Sequence, residues 1–227
     1  VDGGPCPRET APVFTDAGDY DVYYRITSDG YRTVTGSEEV SISKKPITAD
    51  MFSGSVNDSY SYTGSKIEPN VVVAYNGAVL TTDDYEIIYG ENTNAGEDAG
   101  TVTVRAKDTS VNYTGEATVT FDITAYSMNS LAASLDRYFG VYGDEDTNNA
   151  TATVSFGDVI LEAGKDYDVS VTNPSGAVID GNRIAFSEVG SYSIAITAKG
   201  NYSGEINLAY TLLPAASENG FRVTIDG

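Results

Sequence analysis

The 227-residue chain carries 13 basic against 33 acidic side chains and no histidine, a formal charge of −20 at pH 7. A field of that sign repels phosphate backbones and anionic headgroups, which argues against nucleic acid or a membrane surface as partner, and no stretch approaches the ~20 consecutive apolar residues of a spanning helix. Without histidine there is no Ser-His-Asp triad, no Cys-His pair, no common zinc site and no imidazole base, so no catalytic residue, metal ligand or cofactor is assigned and an enzyme is not expected.

In chain order, Val1 to Arg8 lack the basic and apolar regions of a signal peptide, so a leader was removed or the segment was excised. Cys6 is the only cysteine, which rules out an internal disulfide, and its place near the start suggests a peripheral position. Seventeen Tyr, 23 Gly and many Thr, Val and Ile then favour pleated strands joined by tight turns. Phe14 to Val22 read as a Gly turn that delivers a strand, and Tyr20, Val22, Tyr24 and Ile26 fall on one face of it at period two. Asp29 to Gly36 lead to a second strand with Val40 and Ile42. Tyr75-Asn76-Gly77-Ala78 and Phe156-Gly157-Asp158-Val159 read as hairpin turns. Asp84-Tyr85-Glu86-Ile87 and Asp166-Tyr167-Asp168-Val169 open matching strands. Ser127 to Tyr138 place Leu131, Leu135 and Tyr138 at i, i+4 and i+7, which predicts one short helix.

These elements recur. Asn112-Tyr113-Thr114-Gly115-Glu116 and Asn201-Tyr202-Ser203-Gly204-Glu205 are one element seen twice, and Asp29-Gly30-Tyr31 is a weaker third copy. Their tyrosines stand 82 and 89 residues apart, the length of an immunoglobulin-like sandwich. The expected class is therefore all-β, tandem immunoglobulin-like β-sandwich repeats with at most one short helix. Residues 1–45 are expected to be the C-terminal half of one repeat, 46–124 and 125–213 two further repeats, the second of them divergent, and 214–227 a tail or the start of a following segment. The junctions near Pro46 and Ala125 are short and not Gly/Ser-rich, so they should be stiff. On residues 11–45 a bare apolar face is expected, covered by a neighbouring domain or molecule.

The pattern Tyr62-Thr63-Gly64, Ile67-Glu68-Pro69, Val71-Val72-Val73, Asp84-Tyr85, Asn94-Ala95-Gly96 and Asn112-Tyr113-Thr114-Gly115 resembles the tandem glycine- and tyrosine-rich repeats of bacterial surface proteins. Ala17 to Tyr24 through Lys44 to Thr48 are similar to the related MBG-type repeat. The last repeat departs from the pattern, with Tyr142-Gly143-Asp144 where Tyr-Thr-Gly should stand. What the resemblance implies is a non-catalytic stalk or adhesin segment, extracellular, on the bacterial surface or secreted.

The alternative is a module that binds carbohydrate or a host surface protein through exposed tyrosines. Tyr20, Tyr85, Tyr113, Tyr167, Tyr192 and Tyr202 follow the repeat, as core or corner residues would, with hydroxyls satisfied by nearby backbone. Tyr23, Tyr60, Tyr138 and Phe139 do not follow it and are the candidate ligand contacts. The clusters Asp83-Asp84 and Asp144-Glu145-Asp146 offer oxygens to calcium but lack EF-hand spacing, and solvated turns explain them more simply. Asn57, Asn112, Asn149 and Asn201 begin Asn-x-Ser/Thr triplets; for Asn112 and Asn201 the repeat supplies a turn explanation.

Overall fold

The structure, a computed structural model, describes residues 12–172 and 176–215, so Cys6 and most of the expected tail lie outside the described residues, as does the Asn57 side chain. The chain is all-β. The helical elements among the described residues are three 3-10 turns of three residues each, at Ala49–Met51, Ser55–Asn57 and Met128–Ser130.

The helix expected over 127–138 is therefore corrected. Met128–Ser130 is one 3-10 turn, and Ala132–Leu135 is a strand that pairs antiparallel with residues 152–155. The physical reason is that a spacing of four puts Leu131 and Leu135 on one face under either period. Tyr138, at i+7, separates the two patterns. It is 52% exposed, whereas Leu131, Ala133 and Leu135 alternate inward with Ala132 and Ser134 outward, which is period two.

The chain divides into two compact units, 1–58 with 68–91 and 100–120, and 59–67 with 92–99 and 121–227. The division falls inside the strands Gly96–Ala106 and Glu116–Thr124. In the first unit, Gly18–Ile26 and Val34–Ile42 form a two-stranded antiparallel hairpin in which Tyr20 faces Val40 and Ile26 faces Val34. Period two puts Tyr20, Val22, Tyr24 and Ile26 on one side. Among the described residues much of that side is open, with Ile26 61% and Val34 54% exposed. A separate core gathers Met51, Phe52, Val56, Val73, Tyr85, Val102 and Val104, all buried. Phe52–Gly54, Val71–Tyr75 and Ala78–Val79 build one sheet around it, and Tyr85–Tyr89 pairs with residues 102–106. The turn between Tyr75 and Ala78 has both Asn76 (φ 49°) and Gly77 (φ 80°) in the left-handed region, the two-residue hairpin geometry that Asn-Gly favours.

The second unit is built mainly on two sheets, beside the short parallel pair of Tyr126–Ser127 with Tyr202–Ser203. One follows the order Ala132–Leu135, Asn149–Phe156, Arg183–Phe186, Ala177–Asp180; the other Phe139–Val141, Glu205–Leu213, Gly190–Ala198, Tyr167–Thr172. Both feed one buried cluster: Val154, Ile184 and Phe186 from the first, Tyr167, Tyr192, Ile194, Ile196, Tyr210 and Leu212 from the second. The Phe186 and Tyr210 rings stack at 4.0 Å, with Tyr192 tilted 4.5 Å from Phe186. Aromatic pairs of this kind add about 0.5–1.5 kcal/mol to the area they bury.

Candidate functional site

The repeating tyrosines divide by role. Tyr85, Tyr167, Tyr192 and Tyr202 are buried, and Tyr20 and Tyr113 are half-buried. Two of them close the same local loop: the Tyr20 hydroxyl donates to the Asp16 carbonyl at 2.8 Å and the Tyr192 hydroxyl to the Glu188 carbonyl at 2.5 Å, each four residues back. Both pack against the phenylalanine six residues upstream, Tyr20 stacked on Phe14 at 4.1 Å and Tyr192 tilted against Phe186 at 4.5 Å. Tyr202 lies edge-on to Tyr62 at 5.5 Å, and burial, followed by Tyr62, pushes its phenol up to about 12.

The non-repeating aromatics are not brought together as one set. Tyr23 is 77% exposed on the hairpin, while Tyr138 and Phe139 are 52% and 67% exposed, with Tyr142 also open at 50% a few residues on. Tyr60 differs from the other three: it is half-buried and lies edge-on to Phe121 at 5.3 Å, so little of its ring is free to meet a ligand.

Acidic side chains in the turns are held by hydrogen bonds. Asp84 accepts from the Ser110 hydroxyl at 2.8 Å, Asp166 from the Glu162 N–H at 2.9 Å and Asp144 from the Asp146 N–H at 3.0 Å. Among the described residues no three Cys, Asp or Glu side chains converge where a metal ion could sit. Lys107 and Lys199 also hold turn carbonyls, those of Thr82 at 2.5 Å and Gly164 at 2.9 Å.

One constellation recurs with nearly the same geometry, and sequence reasoning missed it. Asn112 Oδ1 accepts from the Ala17 N–H at 2.7 Å, and its Nδ2 donates to Asp16 Oδ1 at 3.0 Å. Asn201 Oδ1 accepts from the Ala95 N–H at 2.7 Å, and its Nδ2 donates to Asn94 Oδ1 at 3.1 Å. The first clasp lies wholly within the first unit and the second wholly within the second. Each asparagine also accepts at its own backbone carbonyl, from the Lys45 N–H at 2.8 Å and the Tyr126 N–H at 2.9 Å. Lys45–Pro46 and Tyr126–Ser127 accordingly run parallel to Tyr113–Thr114 and Tyr202–Ser203. Ile47 and Met128, two residues further along in each case, are buried. The Asn side chain thus grips an Asx-Ala-Gly turn while its backbone grips the linker.

The signal was present in the recurrence of Asp16-Ala17-Gly18 and Asn94-Ala95-Gly96 beside Asn-Tyr-Thr/Ser-Gly. Nothing in a period reveals that residues about a hundred positions apart meet. The sequon amides of Asn112 and Asn201 are both engaged in these clasps, each donating one of its two N–H groups to a protein oxygen. In comparison with known proteins, the sequence matches no family model, and no curated protein matches it.

Proposed function

We propose that the chain is a non-catalytic stalk or adhesin segment of a bacterial cell-surface or secreted protein, built from tandem immunoglobulin-like β-sandwich repeats of the glycine- and tyrosine-rich, MBG-related kind. The observation that carries this reading is the junction made twice: a linker zipped onto the next Asn-Tyr-x-Gly turn and a turn clasped by that asparagine. A chain that invests its recurring polar groups in joining one repeat to the next is specialised for holding parts in register. The charge of −20 keeps such a chain soluble and apart from its copies.

The second reading, a glycan- or host-protein-binding module, is favoured by the run Tyr138, Phe139 and Tyr142, all half or more exposed in one short segment. Aromatic faces of this kind stack on sugars and anchor protein interfaces. The purified chain, applied to arrays of glycans and host matrix proteins with calcium and with chelator, discriminates the two. A stalk gives no saturable retention. Saturable retention that disappears in a Tyr138→Ala/Phe139→Ala variant would replace the stalk with the binding module. Antibody against the chain should label intact, unpermeabilised cells of the source organism; labelling only after permeabilisation contradicts the surface assignment.

A further inference from the structure

We propose that the turn Glu188-Val189-Gly190 is a docking site for the Asn-Tyr-Thr/Ser-Gly turn of another repeat of this kind. Among the described residues three such turns run directly into a long strand that begins at their glycine: Asp16-Ala17-Gly18, Asn94-Ala95-Gly96 and Glu188-Val189-Gly190. The first and third share more than sequence position, because both follow a phenylalanine whose ring packs against the tyrosine two residues past the glycine and both close through that tyrosine's hydroxyl. The first two turns are occupied: the Ala17 and Ala95 N–H groups each donate to an asparagine Oδ1 at 2.7 Å, and both alanines are half-buried. In the third, the Val189 N–H has no hydrogen-bond partner among the described residues, and Val189 is 49% exposed.

The remaining parts of the junction have counterparts in the sequence. In sequence Glu188 stands where Asp16 and Asn94 stand, whose side-chain oxygens accept from the asparagine Nδ2. The buried closing residues Ile123 and Leu212, and Ile42 in the hairpin, are each followed three positions later by the residue that begins the linker: Tyr126, Ala215 and Lys45. In the two occupied cases that residue is the one that pairs with the incoming Asn-Tyr turn. The site selects its partner by chemistry. An amide side chain carries its acceptor and its donor on two separate atoms, Oδ1 and Nδ2, and so can take up an N–H and a carboxylate oxygen at once, which an ionised aspartate, an acceptor only, cannot do. This inference does not depend on the surface role.

Amide hydrogen exchange tests it in the full chain and in the same chain with a second copy of residues 126–214 inserted between Pro214 and Ala215. In the unaltered chain Val189 exchanges as a free turn amide; protection already present there would overturn the open site. In the duplicated chain the original Val189 slows at least about tenfold while the inserted copy's Val189 stays fast. Asn201→Ala in the inserted copy restores fast exchange and leaves that copy's Ile194 and Tyr210 amides protected. An unchanged Val189 beside a folded inserted copy contradicts the proposal. If the inserted copy fails to fold, Asn201→Ala in the unaltered chain decides: Ala95 must lose at least about tenfold protection with Tyr210 unaffected, and its persistence overturns the clasp as a docking device.

Discussion

At the scale of single residues, the second unit's core is governed by close approach. Gly140 is buried, and a Cβ there would meet the Thr147 carbonyl oxygen at 1.8 Å and the Tyr210 hydroxyl at 2.2 Å. That hydroxyl donates to the same Thr147 carbonyl. Gly140→Ala must push backbone apart, and overpacking of this kind typically costs about 1–3 kcal/mol. Tyr210→Phe leaves the carbonyl without its donor, at about 1–3 kcal/mol. Both should lower the denaturation midpoint of the second unit in chemical unfolding; a Gly140→Ala chain as stable as the parent would show the site to be looser than its geometry. Tyr202 gives a pH signature. Its folded pKa is about 12, raised above the ordinary 10, so the folded state favours the neutral phenol. The stabilisation is complete below pH ~10 and is lost as pH rises through about 12. The Tm should fall across that window, and Tyr202→Phe should fall less steeply. An identical fall in both would assign the loss to the remaining charges.

Among elements, the opening hairpin and the junctions behave differently. The core residues Met51, Phe52, Val73 and Val104 all follow residue 44 in the chain. Among the described residues before Lys45, the bonds to the rest of the unit include the clasp on Asn112 and one from Lys44 Nζ to the Ser110 carbonyl at 2.6 Å. A chain beginning at Lys45 should therefore keep its strand signal by circular dichroism and lose no more than a few kcal/mol. Unfolding of both units on that deletion would place residues 12–44 in a shared core. Much of this level was legible in the sequence. Period-two runs such as Tyr192, Ile194 and Ile196 and turns such as Asn76-Gly77 announce themselves through local chemistry. The segment 127–138 did not, because Leu131 and Leu135 suit both periods, and the strand wins through pairing with residues 152–155, a partner no local window contains. The half-burial of Tyr60 was hidden for the same reason, since Phe121 lies sixty positions away. The clasps were hidden by distance in sequence alone.

For the whole molecule the dominant fact is charge. With 33 acidic and 13 basic side chains, added salt should raise Tm by screening self-repulsion, and calcium should act no differently from other salts at equal ionic strength beyond a modest gain. Saturable micromolar calcium binding, with collapse of the fold on adding chelator, would mean that Asp83-Asp84 or Asp144 to Asp146 ligate the ion. The proposed role of the asparagine clasp, made alike at Asn112 and Asn201, requires that both clasps hold in solution, and two backbone amides report on them directly. Amide exchange on the unaltered full chain should show Ala17 and Ala95, both in turns outside any strand, slowed at least about tenfold relative to the unpartnered turn amide of Val189. Exchange of Ala17 and Ala95 at the rate of Val189 would contradict it.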